Sequence, residues 1–576
     1  MMHLKIHDRK KVWQNGIFAL LMALTAGFLF WKCQYGITSV DEGLYLTIPY
    51  RLVKGDGLFV HEWHLSQMSG LLTLPLVWLY MTVNGGTDGL VLFMRYATTF
   101  VQCLIAVLVY LRLRRHSYIG AVAASLVFAL YIPFGIMQLS YNSMGIMTMV
   151  LCGVLLLPGK KERKSLYVLA GLSFAAAVLC CPYLLIVYAV YLISVAVVAW
   201  QHRSEKDKPL SPWSIKGAVL LSVGAAIAAA LFAVFVLSRG SLGNIVKAFR
   251  YILDDPEHPS RGIVTLIVSY VRGILDATAI SKWLYGALAL LLIACIADRK
   301  RKNRRLVYFC ASAVITAVLM FSLFYRLRYI NYVMWGINMM GPILLLLTNR
   351  SMVRRVFALL WVPGMLYSFC IHLSSNQIFI TAASASAVAT VGTVMMLGLF
   401  AGELWQSHPS VSQRSFSAAA AGLLAVLQLL PLGYMRYRSV FWDETCMSAP
   451  THVLTEGVQS GLRTSGERYS YYTNSEKLLN YVRSCAPEKV LYLSYSTWYY
   501  LEGDYEMSAY SSWLAGSDGH TVNRLNAYYE LNPDKLPDLV FIDSEFLDAG
   551  LAFVKAHGYE QTKVPSIWVL PEGIKP

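Results

Sequence analysis

From Gly16 to Gly433 the chain repeats one pattern, an apolar run followed by a short cluster of Lys and Arg or by a brief polar connection. A membrane span needs roughly 20 predominantly apolar residues. Within the hydrocarbon a backbone satisfies its own polar groups only as a helix or a closed barrel. The pattern therefore restricts the fold to a polytopic, mainly α-helical transmembrane bundle. Composition agrees, with 56% of residues apolar and 14% charged. The formal net charge of +16 does not point to nucleic acid, because the basic residues sit in separate loops and form no single stripe.

Cytoplasmic loops are enriched in Lys and Arg, so the clusters orient the chain. The inside set is Lys5, Arg9, Lys10 and Lys11, then Arg112, Arg114 and Arg115, then Lys160, Lys161, Arg163 and Lys164. It continues with Arg203, Lys206 and Lys208, the run Arg299 to Arg305, and Arg350, Arg354 and Arg355. Successive clusters bracket pairs of apolar runs, such as 117–136 and 142–158, joined outside by Leu139-Ser140-Tyr141-Asn142. The run Leu71 to Val83 contains Pro75 and breaks the alternation if it crosses. At about 15 residues it is too short to span, and it is expected to be a juxtamembrane or re-entrant helix on the outer face.

About thirteen spans follow from this count, the last near 415–433, with the N-terminus inside and the C-terminus outside. The first outer loop then runs from about Gly36 to about Asp88, and the second from about 239 to 281. The run Gly16 to Trp31 is too long for the core of a cleaved signal and reads as an uncleaved first span. Residues 1–433 form the transmembrane part. Residues 434–576 are expected to be a small extracytoplasmic α/β domain: strand-like runs at 490–493, 539–542 and 566–570 alternate with helix-like stretches at 474–484 and 545–557. Ten cysteines without a CxxC spacing indicate no zinc or disulfide framework. Cys446 and Cys485, alone in the outer tail, are a candidate pair.

Candidate chemistry groups in the first outer loop. Asp41-Glu42 follows the first apolar helix, and His61-Glu62-Trp63-His64 comes later in the same loop. Ionisable groups beside a bilayer are costly to dehydrate, so their grouping marks a functional site. A carboxylate there can take a proton from a hydroxyl nucleophile. Glu62 with His61 or His64 also has the donor types for a divalent metal, although two ligands from one loop are a weak set.

Several outer arginines are candidates for a phosphate: Arg326 and Arg328 in Phe324-Tyr325-Arg326-Leu327-Arg328-Tyr329, Arg261 in the second loop, and Arg95 inside the run after Asp88. A guanidinium fork suits phosphate better than a point charge does. Arg95 has a second reading, an ion pair with a loop carboxylate. In the second loop Leu242, Ile245, Val246, Phe249 and Ile252 recur at helical spacing, as in a helix lying in the interface.

This arrangement resembles the GT-C superfamily of integral-membrane glycosyltransferases, in the branch with protein O-mannosyltransferases and aminoarabinose transferases. The residue-level likeness is Asp41-Glu42, then Gly43-Leu44-Tyr45, with Glu62 downstream. The resemblance implies a polyprenyl-phosphate-linked sugar donor, a glycan, lipid or protein acceptor hydroxyl, a bacterial plasma-membrane location and Asp41 as the base. Glu42 or Glu62 would then support the developing positive charge, and His61, His64, Arg95, Arg261, Arg326 and Arg328 would meet substrate. The second acidic motif of metal-dependent oligosaccharyltransferases is missing at Ser140-Tyr141-Asn142, and Phe441-Trp442-Asp443 is a faint echo of their tail signature. The alternative is a lipid or glycan transporter, which would carry ionisable groups in mid-span and repeated halves.

Overall fold

The computed structural model describes residues 2–37, 40–159, 163–203, 210–254, 261–298, 304–327, 330–375, 378–407, 410–440, 447–448, 450–514 and 519–571. Eight of its helices are long and apolar enough to cross a membrane: Lys11–Lys32, Leu90–Leu113, Pro182–Gln201, Ile215–Arg239, Arg305–Phe324, Ser351–Leu373, Ala387–Ser407 and Val411–Arg438. Six shorter apolar helices join them, at Tyr118–Leu130, Tyr141–Leu156, Lys164–Cys180, Ile263–Leu275, Ser281–Ala297 and Tyr332–Leu347. The protein is an integral membrane protein, mainly α-helical, with a small mixed sheet near its C-terminus.

The first helices are α1 (Met2–Lys32), α2 (Asp41–Val53), α3 (Gly70–Asn84), α4 (Leu90–Leu113), α5 (Tyr118–Leu130) and α6 (Tyr141–Leu156). The segment 36–88 holds the short helix expected at Leu71 to Val83, seen as α3, and a further helix, α2. α3 spans 15 residues, as its length from sequence implies, and packs on α2 where Ile48 meets Gly70. α2 was not anticipated, because it is buried on nearly every side and so lacks an amphipathic period. The expected run 117–136 also ends early. α5 stops at Leu130 because Pro133 opens a 3-10 turn, Pro133–Gly135, and proline removes a helix donor. α6 then starts afresh on a Ser140–Ser143 capping box.

Beyond α6 come α7 (Lys164–Cys180), α8 (Leu185–Gln201), α9 (Ile215–Arg239), α10 (Leu242–Leu253) and α11 (Ile263–Leu275). α10 presents Leu242, Val246, Phe249 and Leu253 outward and buries Ala248 and Ile252. α11 carries a second exposed apolar stripe, Ile263, Val264, Ile267, Val268, Val271 and Leu275, which the charges of that segment mask in the sequence. Both stripes fit helices lying flat in a membrane interface.

The C-terminal part contains β1 (His452–Val453) paired with β2 (Arg463–Thr464), and β3 (Lys489–Leu493), β4 (Glu506–Met507), β5 (Leu539–Ile542), β6 (Glu560–Gln561) and β7 (Ile567–Val569). The last five form one sheet in the order β4-β3-β5-β7-β6. β3 runs parallel to β4 and β5, while β7 is antiparallel to β5 and β6. The apolar runs of β3 and β5 are buried on both faces, as parallel strands covered by helices require. Helices Gly466–Ser484, Gly519–Leu531 and Leu547–Ala556 accompany the sheet, so the α/β alternation read from sequence is observed. Cys446 and Phe441-Trp442-Asp443 lie outside the described residues.

This α/β part is docked on the first loop by its backbone. Gly36 N donates to Arg463 O (2.8 Å) and Arg463 N to Gln34 O (2.6 Å). Trp63 N donates to Tyr510 O (2.7 Å), and Thr497 Oγ1 to Val40 O (2.6 Å). A Cβ on Gly43 would run into Thr497 Oγ1 and come within 2.8 Å of Trp498 N. α2 and the 497–501 turn therefore touch almost backbone to backbone.

Candidate functional site

Asp41 and Glu42 occupy the first turn of α2, where the helix dipole favours negative charge. Successive helical residues point about 100° apart, so the two carboxylates diverge. Glu42 turns inward and is fully buried. Its Oε1 accepts from Arg95 Nε (3.3 Å) and Met137 N (3.0 Å), and its Oε2 accepts from Arg95 Nη2. Arg95, equally buried, spends Nη1 on the carbonyls of Cys33 (3.1 Å), Tyr35 (3.2 Å) and Gly36 (2.8 Å). The structure thus realises the ion-pair reading of Arg95. With no exposed surface, this guanidinium stitches the end of α1 and the start of α2 to α4 and does not stand open to a ligand.

Asp41 takes the other direction and is half-buried. One turn and two turns further on, Tyr45 and Ile48 share its face. The Asp41 charge is felt by both Tyr45 and Tyr141, whose rings meet edge to face at 5.8 Å. Burial raises the Tyr45 phenol well above its ordinary value, so it stays protonated beside the carboxylate.

A second set of buried charges was largely missed from sequence. Arg51 Nε donates to Asp56 Oδ2 (2.7 Å), Nη1 to Glu62 Oε2 (2.8 Å) and Nη2 to Ala509 O (3.1 Å). Lys535 bridges Asp56 Oδ1 (2.8 Å) and Glu506 Oε2 (2.7 Å). Burial pushes both carboxyls upward, but Asp56 faces two cations and His61 and ends below its usual value. Glu62 has Arg51 alone as a close cation and ends above it. The visible signal was Arg51, a lone cation in the apolar stretch Leu44 to Val53. Its partners on 506–535 are too distant in sequence to be paired by spacing.

Glu62 and the histidines hold loop geometry. Glu62 Oε1 accepts from His64 N (2.9 Å), His64 Nδ1 meets Ser66 Oγ (2.8 Å), and His61 Nδ1 accepts from Gly57 N (2.8 Å). Burial lowers the His61 imidazole. Among the described residues no group of three or more His, Cys, Asp or Glu side chains is placed to hold a metal ion, and the Glu62 oxygens are already committed to Arg51 and His64. Among the described residues, Glu62, His61 and His64 therefore do not form a metal site. Of the outer arginines, Arg261 is exposed. Arg326 lies on helix Arg305–Leu327 with its side chain outside the described residues, as is Arg328 altogether.

Fold and site together define a polytopic helical membrane protein with an acidic helix N-terminus at the seam between its bundle and an α/β domain. No protein-family description matches the chain, and no curated protein matches it. Among solved structures, the chain is similar to ArnT from Cupriavidus metallidurans, a crystal structure bound to undecaprenyl phosphate. That likeness has 13% identity and a TM-score of 0.40, and covers 97% of this chain and 98% of the other.

Proposed function

We propose that this chain is a GT-C-type membrane glycosyltransferase. It moves a sugar from a polyprenyl-phosphate-linked donor to an acceptor hydroxyl at the outer face of a bacterial plasma membrane, with Asp41 as the base. One observation supports the reading: of the three first-loop carboxylates foreseen as catalytic, Glu42 and Glu62 are held in fully buried ion pairs, while Asp41 is half-buried at the start of α2, with its charge beside Tyr45 and Tyr141.

The acceptor oxygen bonds to the anomeric carbon while its proton passes to the Asp41 carboxylate. The anomeric carbon–oxygen bond to the lipid phosphate breaks, and that phosphate leaves with the electron pair. Cationic groups stabilise it there, with Arg261, Arg326 and Arg328 as the candidates. The carboxylate beside the ring also offsets the positive charge that develops in a glycosyl transition state. Glu42 with Arg95 acts as a positioning pair at the α2 N-terminus, and Glu62 with Arg51 holds the last turn of the same helix. His61 and His64 line the approach from the loop side.

Orientation follows the same proposal. The eight long helices and five of the shorter ones, all but Ile263–Leu275, make thirteen crossings. α3, α10 and α11 then lie at the outer surface.

The test is transfer from labelled polyprenyl-phosphate sugars by purified protein. Asp41→Asn is expected to lower the rate on the order of 10²-fold or more with insertion and folding intact. Wild-type activity in that variant removes the base assignment.

A further inference from the structure

The face of α2 that follows Asp41 is covered. Leu44, Tyr45 and Ile48 form a small apolar cluster with Ile136, and three half-buried aromatic residues pack over it: Phe134, Tyr141 and Trp513. They come from three separate elements, each in specific contact with α2. The segment carrying Phe134 is held by Met137 N on Glu42 Oε1 (3.0 Å). Tyr141 opens α6 and meets the Tyr45 ring. Trp513 follows Ser512, whose Oγ is 2.6 Å from Thr47 Oγ1.

Phe134 sits at φ 58°, ψ 6°, a left-handed conformation that a bulky side chain adopts only when its surroundings impose it. Such outliers gather at ligand-binding sites. The His64 ring lies 6.4 Å from Trp513, and Asp41 lies at the other end of the face. Flat aromatic faces edged by a carboxylate and an imidazole match one chemistry well, a saccharide ring with an apolar C–H face and polar hydroxyl edges. An isoprenoid chain would have no use for the polar edge.

We infer that Phe134, Tyr141 and Trp513 form a platform for the transferred sugar, and that the α/β domain, through Trp513, is part of the substrate site. The inference rests on the glycosyl-transfer reading and adds to it the residues that read the sugar. The platform recognises the pyranose or furanose ring and leaves the lipid phosphate to other groups, so the two parts of a donor can be separated by experiment.

Full-length protein in nanodiscs is titrated with bare polyprenyl phosphate and with its mannosyl, glucosyl and arabinosyl esters, and transfer is followed with the same lipids. The expected result is that wild type binds at least one ester more tightly than the bare lipid. Trp513→Ala should weaken that ester about tenfold and leave bare-lipid binding unchanged, with Trp513→Phe restoring most of the loss. Phe134→Ala should behave like Trp513→Ala. Equal weakening of ester and bare lipid in Trp513→Ala, or no weakening in either alanine variant, overturns the platform while wild-type transfer upholds the glycosyltransferase. If no ester outbinds the bare lipid and none is turned over by wild type, both readings fall together.

Discussion

At the residue scale, Asp41 and Glu42 show how adjacent carboxylates acquire opposite tasks. Glu42 is buried against Arg95, and removing one member of a buried pair leaves an uncompensated charge, at a cost of about 3–5 kcal/mol. Glu42→Gln and Arg95→Met are therefore expected to lower the thermal unfolding midpoint in detergent markedly, and the double Glu42→Met/Arg95→Met variant should recover part of it. Asp41→Asn should leave the midpoint unchanged while abolishing transfer. A stability loss in Asp41→Asn as large as in Glu42→Gln would mean the division of labour is wrong. The same logic applies to Lys535, whose replacement by Met leaves Asp56 with Arg51 as its only close cation and should destabilise in proportion.

At the element scale, the contact between α2 and the 497–501 turn decides how the site is held. Gly43 is the one position of α2 where a methyl group would strike backbone, since Trp498 N lies 2.8 Å from the site of its Cβ. Gly43→Ala is expected to loosen the α/β domain, read as faster proteolysis between 434 and 514 in the intact protein. The same turn ends at Glu502, whose carboxylate accepts from Val458 N (3.0 Å) and Tyr472 Oη (3.0 Å). Burial first, then the Glu476 charge, raises Glu502 from 4.5 to about 8, against the opposing pull of Arg483.

The sign of the resulting pH dependence is fixed by that direction. A carboxyl raised in the folded state contributes stability fully below about pH 4.5 and loses it as the pH rises through about 8. Domain stability should therefore fall across that window, and Glu502→Gln should flatten the fall. A pH profile identical in wild type and variant would show that Glu502 is not the titrating group.

At the scale of the whole molecule, the first loop and the C-terminal α/β part share buried polar contacts. The first loop supplies Arg51 and Asp56, and the distal chain supplies Ala509, Glu506 and Lys535. Truncation after 440 should strand buried charges in the first loop and give misfolded protein, not an active bundle. Cysteine-accessibility labelling checks the topology: a cysteine at the exposed position 115 should react only from inside and one at the exposed position 504 only from outside. The reverse at either position would sink the thirteen-crossing arrangement.

What the amino-acid sequence determined alone is the part governed by local pattern. Hydropathy over roughly 20 residues sets the helical spans, the apolar run Leu71 to Val83 gives the short helix α3, and alternating strand-like and helix-like runs announce the C-terminal sheet. These properties need no distant partner. α2 escaped because burial on every side erases the periodicity that reveals a helix. Spacing also placed Asp41, Glu42, Glu62 and Arg95 in one neighbourhood but could not say which would be satisfied internally. That was decided by tertiary structure, where Arg95 meets Glu42 across 53 positions and Lys535 meets Asp56 across a longer gap still. Burying a charge is tolerable only beside its counter-charge, so the pairing of distant residues decided that Glu42 is fully buried while its neighbour Asp41 is half-buried.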